Sequence, residues 1–274
     1  MSDPETIAKF SIPEDRKSGK KSKPTLKTSA SKASFLSEYY EEEHKPDFSD
    51  PGNRTRFTVI VFSIITFQLM FTVICALPFV VLDEAKQLVL DNSWVIFVFL
   101  VVLIVPYFML VCCETTRKEF PTNIVLLLFL TIGMAGTCAC CTVWFETVVV
   151  FYTFILTVVV TFLIAILACG CRFEITTWKS ILGIMGIFLV IFVLMAIIIA
   201  VVGNYPFATF LYPGILVALF SAFLLHDIKS VMGGHRVSHI TPSDYIVGAA
   251  QVYVDVVGLF LTFLEIVGTI TEND

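Results

Sequence analysis

The chain has 274 residues, of which 57% are hydrophobic, and its formal net charge is −5 at pH 7. Its mean hydropathy of +0.88 excludes an ordinary soluble domain, since such domains are only about 45–50% apolar. The composition therefore predicts an all-α integral membrane protein, in which each helix satisfies its own backbone hydrogen bonds inside the lipid.

The first 53 residues differ from the rest, because they are rich in Lys, Ser, Pro and acidic residues. Between Arg16 and Lys32 there are seven basic residues and no acidic one. So few apolar residues cannot offset the entropy of ordering the chain. We expect a disordered cytosolic tail over residues 1–53. It is either fully solvated or in contact with anionic lipid through its basic block.

Seven apolar runs follow, and each is close to the roughly 20 residues that a membrane-spanning helix needs. They predict a seven-helix transmembrane domain over residues 54–274, with short links that include an acidic loop at Asp83–Ser93 and a turn at Glu114–Phe120. The seven spans lie at about 57–82, 94–113, 121–141, 147–170, 180–203, 207–228 and 245–269.

The Lys and Arg residues near the span ends are distributed unequally between the two sides of the membrane. One side holds only Lys86, and the other side holds eight basic residues. Those eight are Arg54, Arg56, Arg117, Lys118, Arg172, Lys179, Lys229 and Arg236. The positive-inside rule then assigns the N-terminus and the loops after spans 2, 4 and 6 to the cytosol.

The eight cysteines lie within the apolar runs or at their ends. This distribution is typical of small buried hydrophobic residues. An alternative is S-palmitoylation at the juxtamembrane pairs Cys112-Cys113 and Cys169/Cys171. A zinc site is a third reading, although Cys-Cys and Cys-x-Cys spacings match zinc sites poorly.

The last span carries a polar stripe, because five of its residues recur at intervals of four and three. They are Gln251, Asp255, Gly258, Thr262 and Glu265. That spacing puts them on one helical face, which must avoid lipid. We therefore predict that the last helix is central. Gln251, Thr262 and Glu265 either face a pore or hold helices together and cap their ends.

Asp255 is an ionisable residue deep in an apolar span, and such residues are functional candidates. Asp227, near the cytosolic end of span 6, reaches it if spans 6 and 7 form a hairpin. Two adjacent carboxylates share a proton and also suit calcium. Arg117 is the favoured cationic partner, with Lys118 and Arg172 as alternatives. His226 is either a pH sensor or an ordinary interfacial histidine.

Several ordered motifs resemble those of the transmembrane BAX inhibitor motif proteins, specifically the lifeguard branch. The strongest is the segment around Asp227 and Asp255, with Ile240–Ile246 between them. Gln68–Thr72, Cys112-Cys113 with Arg117-Lys118, Pro121-x-Asn123 and Cys171–Thr176 agree in order and spacing. Two positions depart from the family pattern, since Lys229 adds a positive charge near the first aspartate and Gly258 stands where Asn is common.

The resemblance implies a pH-sensitive calcium leak channel governed by an aspartate pair, which corresponds here to Asp227 and Asp255. It also implies a role in calcium homeostasis and in restraining apoptosis, in the endoplasmic reticulum or Golgi, with the plasma membrane or lysosome as further locations. Lys229 then becomes a further latch candidate. The expected partners are the lipid bilayer, calcium ions and apoptosis-regulating membrane proteins.

Two other functions stay open on the sequence alone. The chain could be a non-conducting regulator that suppresses cell death by binding other membrane proteins. A proton-coupled transporter would require an inverted repeat, and none is visible. No enzyme motif, cofactor motif or nucleic-acid-binding pattern is found in the sequence.

Overall fold

A computed structural model describes residues 51–170, 206–233 and 242–273. Every secondary-structure element within these ranges is an α-helix. The helices are α1 (Pro51–Val81), α2 (Asp83–Asp91), α3 (Val95–Cys112), α4 (Glu114–Lys118), α5 (Thr122–Thr142), α6 (Thr147–Gly170), α7 (Pro206–Gly233) and α8 (Pro242–Asn273).

Six of the described helices are long and apolar enough to cross a membrane, namely α1, α3, α5, α6, α7 and α8. They correspond to six of the seven predicted spans. The predicted span at 180–203 and most of the predicted tail lie outside the described residues. The chain is therefore a helical, multi-pass membrane protein.

Two of the predicted links are wrong, because the structure has helices in both. The expected acidic loop contains α2, whose acidic first turn of Asp83 and Glu84 complements the helix dipole and whose Val89 is buried. The expected turn after α3 contains the short helix α4. Charged residues favour a loop in the sequence, although in the structure they form short helices at the two ends of α3.

Helix α1 begins at Pro51, inside the segment predicted as tail. Proline is favoured in the first helical turn because its missing N–H has no partner there in any case. The other span boundaries differ from the prediction by a few residues, with α7 and α8 extending furthest beyond the apolar runs.

Helix α8 contacts each of the other five spans that the structure describes. It lies between two groups of buried side chains. One joins it to α1, α6 and α7, and includes Val61, Leu224 and Leu259. The other joins it to α3 and α5, and includes Leu130 and Tyr253. This is the packing expected of a helix at the centre of the bundle.

Helices α3 and α5 approach closely because α5 presents two glycines to α3. A Cβ added at Gly133 would lie 2.5 Å from the backbone nitrogen of Leu103, and one at Gly136 would lie 2.2 Å from the ring of Phe99. A side chain larger than glycine at either position would therefore push α3 and α5 apart.

Large apolar side chains cover the outside of the bundle. Phe67 on α1, Phe97 on α3 and Phe162 on α6 are each at least 60% exposed. An apolar patch of this extent on a soluble protein would be unusual. On this chain it is the surface that contacts the acyl chains of lipids.

Candidate functional site

Asp227 on α7 and Asp255 on α8 lie next to each other inside the bundle. Their exposed fractions are 9% and 6%, and the two carboxyl groups are within hydrogen-bonding reach of each other. A hydrogen bond between two carboxyl groups requires a proton on one of them. The structure therefore brings together the two aspartates that the sequence singled out.

The register of α7 and α8 explains how these residues meet. A Cβ at Gly248 would lie 3.5 Å from Val231, and one at Gly258 would lie 2.5 Å from Phe220. The two helices are thus antiparallel. In this register Asp227 lies about one helical turn nearer the α7–α8 link than Asp255.

The direction in which the two side chains point compensates for this offset of about one turn. Side chains on a helix lean towards its N-terminus. Because α7 and α8 run in opposite directions, Asp227 leans into the membrane and Asp255 leans back towards the link. The antiparallel hairpin therefore points the two carboxyl groups at each other, which a parallel pair would not do.

His226 also belongs to the site, although the sequence left open whether it is a pH sensor or an ordinary interfacial histidine. Its Nδ1 lies 2.8 Å from Oδ1 of Asp227. Its Nε2 is buried and has no hydrogen-bond partner in the described part of the chain. Adjacent helical residues point about 100° apart, but the imidazole side chain is long enough to reach the carboxyl group of the neighbouring aspartate. No periodicity argument could have found this contact.

Two further features surround Asp255. The hydroxyl of Tyr107 on α3 lies close enough to both carboxyl groups for their charge to affect it. The Oδ2 of Asp255 is buried and unpartnered within the described ranges. One oxygen of the pair is therefore left available to a proton or a cation.

Gly258 forms a recess one turn beyond Asp255, and the ring of Phe220 fills it. A Cβ at Gly258 would lie 2.5–2.9 Å from three atoms of that ring. Such contacts are too short to exist without movement of the phenyl group. The glycine that departs from the family pattern is thus explained by the phenylalanine that packs against it.

The predicted latch residues are not all near the pair. Arg117 lies on α4, which contacts α8, but it forms no ion pair with either aspartate among the described residues. Its Nε is buried without a partner in this part of the chain. Lys229 is half-buried and follows Asp227 by two residues, so it points to a different side of α7. Arg172 lies outside the described residues.

The three pore-facing candidates on α8 have different surroundings. Gln251 is half-buried, Thr262 is buried and Glu265 is exposed. The Thr262 hydroxyl donates to the carbonyl oxygen of Gly258, as threonines in helices commonly do. Glu265 lies close to Tyr212 and to Cys141. The polar stripe on α8 is therefore buried by other helices around Asp255, and its side chain at Glu265 is exposed.

A second set of buried polar groups, which the sequence did not predict, lies where α1, α5 and α8 meet. Gln68 Nε2 donates to Oγ1 of Thr131 at 2.8 Å, and the hydroxyls of Thr72 and Tyr253 are 2.7 Å apart. The Thr72 hydroxyl also donates to the carbonyl oxygen of Gln68. These groups are all neutral.

Comparisons with known proteins agree with the geometry. The family model described as "Inhibitor of apoptosis-promoting Bax1" matches residues 54–272. Human "Protein lifeguard 3" is 30% identical over 234 residues, covering 83% of this chain and 75% of the relative. The mouse protein of the same name is 29% identical over 239 residues, covering 85% and 77%.

A plant protein extends the same relationship. The "BI1-like protein" of Arabidopsis thaliana is 26% identical over 231 residues, covering 81% of this chain and 84% of the relative. The matched segment contains all six described spans and both aspartates. The chain therefore belongs to the family of BAX inhibitor membrane proteins, in its lifeguard branch.

Proposed function

We propose that this membrane regulator of apoptosis is a pH-sensitive calcium leak channel of intracellular membranes, in a seven-helix bundle whose fifth span is residues 180–203. Its gate is the Asp227–Asp255 pair. The observation that carries the proposal is the contact between two buried carboxyl groups on neighbouring spans. The endoplasmic reticulum and the Golgi are the expected locations, because the flux would then contribute to calcium homeostasis and restrain apoptosis.

The gate follows from the chemistry of two adjacent carboxyl groups. With one shared proton, a hydrogen bond joins α7 to α8 and the path is closed. Without that proton, two unit charges about 4 Å apart repel by about 4 kcal/mol at an effective dielectric constant near 20. This exceeds the roughly 1 kcal/mol of the hydrogen bond that is lost, so the helices separate and the path opens.

Calcium fits the open state because it prefers carboxylate oxygens. Within the described ranges no group of three or more His, Cys, Asp or Glu residues could hold a metal ion. Two aspartates alone would bind calcium weakly, and weak binding lets a permeating ion leave the site again. Protons and calcium compete for the same oxygens, so calcium flux rises as the pH rises.

Other ionisable groups bias the gate. His226 on α7 contacts Asp227, Tyr107 on α3 senses both carboxyl groups, and Arg117 comes from α4 beside α8. Arg172, beyond the described residues, is the remaining candidate for a cationic latch of the closed state, because Arg117 forms no ion pair with either aspartate among the described residues and Lys229 points to a different side of α7. Gln251, Thr262 and Glu265 line the route along α8.

Reconstitution in liposomes tests the proposal. The full chain should release trapped calcium, with a rate that rises from acidic to mildly alkaline pH. Asp227→Asn and Asp255→Asn each leave only one carboxyl group that can ionise, so the repulsion that opens the gate is lost and each variant should give low flux at every pH. Tyr253→Phe alters the neutral polar groups of the same helix and is the matched control, which should keep the wild-type pH profile. If both asparagine variants keep the wild-type flux and profile, the proposal fails.

A second candidate is a non-conducting regulator that acts through other membrane proteins. The packing of Phe220 into the Gly258 recess favours it, because this contact fills the space next to Asp255. The aspartate pair would then be a structural lock between α7 and α8. Absence of flux in the wild-type protein, together with a lower unfolding temperature of the asparagine variants, would support this candidate instead.

A further inference from the structure

The cysteines of the described residues divide into two groups by exposure and by position. Cys112, Cys113 and Cys169 are exposed, and all three lie where α3 and α6 end. The cysteines in the opposite half of the bundle are buried or half-buried, namely Cys75, Cys138, Cys140 and Cys141. The exposed thiols thus share the boundary that the basic residues assign to the cytosol.

Other contacts confirm that these helix ends gather at one boundary. Cys169 Sγ lies 3.7 Å from Sδ of Met232 near the end of α7. The Thr58 hydroxyl near the start of α1 donates to the carbonyl oxygen of Val231. Helix α4, directly after Cys113, contacts α8. Exposed thiols and the α7–α8 link therefore lie on the same side of the bundle.

Cys112 and Cys113 differ from Cys169 in their surroundings. Cys112 is the last residue of α3, and Cys113 follows it in an extended conformation. No hydrogen bond to either sulfur occurs among the described residues, whereas Cys169 has Met232 as a sulfur partner. Phe108, Val111 and Phe120, which are 62%, 38% and 79% exposed, provide an apolar surface beside the pair.

We infer that Cys112-Cys113 is an S-acylation site that takes a long-chain fatty acyl group from acyl-CoA. Juxtamembrane cysteines are the usual acceptors of this modification. An acyl chain attached at this boundary extends back into the lipid along Phe108 and Val111. Burial of the acyl methylenes in the lipid attaches this end of α3 to the membrane surface, so the acylated end of α3 holds the adjacent basic helix α4 at the surface.

The reaction is a balanced thioester exchange. The Cys112 or Cys113 thiolate attacks the carbonyl carbon of acyl-CoA, and a new C–S bond forms to the protein. The C–S bond to coenzyme A breaks, and coenzyme A leaves as a thiolate that takes up the proton the cysteine lost. No oxidant or reductant takes part.

Acyl-to-mass-tag exchange on the full chain, expressed in eukaryotic cells, tests this inference. Free thiols are blocked, thioesters are cleaved with hydroxylamine, and each released thiol is labelled with a polymer that shifts the band on a gel. The wild-type protein should carry hydroxylamine-dependent tags. Cys112→Ser/Cys113→Ser should lose one or two tags, and the matched variant Cys75→Ser/Cys141→Ser should lose none.

Two results would overturn the inference. One is a wild-type protein without hydroxylamine-dependent tags. The other is a Cys112→Ser/Cys113→Ser variant that keeps every tag, since the acyl groups would then be on other cysteines. Size-exclusion chromatography of both variants in detergent checks that the folded protein was measured, and serine at two exposed positions should leave the elution volume unchanged.

Discussion

Helix α8 buries polar side chains on two opposite faces, and the two faces use different chemistry. Asp255 meets a second carboxyl group on α7. Tyr253, two residues earlier and therefore on another side of the helix, meets the hydroxyl of Thr72 on α1. Both faces hold α8 to a neighbour through polar contacts inside the bundle.

The two faces differ in whether their polar contact changes its charge with pH. A tyrosine has an ordinary pKa near 10, so the Tyr253–Thr72 contact stays neutral and does not change with cellular pH. The aspartate pair gains or loses a charge with one proton. Under the proposed gate, the same helix is anchored on one face and released on the other.

The largest expected effect concerns the shared proton itself. Infrared difference spectroscopy of the protein in lipid should show the carbonyl band of a protonated carboxyl group that disappears as the pH is raised. The Asp227→Asn/Asp255→Asn double variant should remove this band completely, and Tyr253→Phe should keep it. A band that persists in the double variant would assign the proton to another group, such as Glu265.

The next effect concerns the recess beside the pair. Gly258→Ala places a methyl group about 2.5 Å from the Phe220 ring, so the ring must move, and we expect a loss of about 1–3 kcal/mol in the free energy of unfolding. Chemical denaturation in detergent micelles measures it. Phe220→Leu in the same chain should recover most of the loss.

Gly248→Ala is the matched control on the same helix. Its new methyl group would lie 3.5 Å from Val231, an ordinary contact, and alanine favours helix over glycine. This variant should be as stable as the wild type or more stable. If Gly258→Ala behaves in the same way as Gly248→Ala, Phe220 does not fill the recess.

A smaller effect is expected on the neutral face. Tyr253→Phe removes one hydroxyl, and buried hydrogen bonds between membrane helices contribute on average about 0.6 kcal/mol and at most about 1.7 kcal/mol. Thr72→Val should cost a similar amount. Because the two groups share one contact, the double variant should cost less than the sum of the single variants, and additive losses would contradict the contact.

The smallest effect concerns His226. His226 Nδ1 lies 2.8 Å from Oδ1 of Asp227, so His226→Gln removes one contact at the edge of the pair and should change the pH profile of calcium flux less than the asparagine variants do. His226 is part-buried, and its removal should leave the maximal flux unchanged. Loss of all flux would make His226 part of the conduction path rather than a neighbour that adjusts it.

Much of this architecture could be predicted from the sequence because lipid imposes a simple rule on each span. Length and apolarity identified the six described spans, and the four-three spacing on α8 identified the face that carries Asp255. The rule fails for α2, where charged residues form a helix at the boundary of the bundle. Apolarity does not distinguish such a helix from a loop.

The details of the site depended on contacts that are distant in sequence. The pairing of Gly258 with Phe220 follows from the register of α7 and α8, which hydropathy does not specify. The contact of His226 with Asp227 depends on a side-chain rotamer, and the Gln68–Thr131 bond joins residues 63 positions apart. The glycine inside the polar stripe was the one visible signal of a close approach.

Calcium efflux from liposomes across the pH range, measured side by side for the wild type, Asp255→Asn and Tyr253→Phe, tests the central claim most directly. The account predicts that flux rises with pH in the wild type and in Tyr253→Phe, and that Asp255→Asn remains near the rate of protein-free liposomes throughout. The same rising profile in all three proteins would contradict the claim that the aspartate pair is the gate.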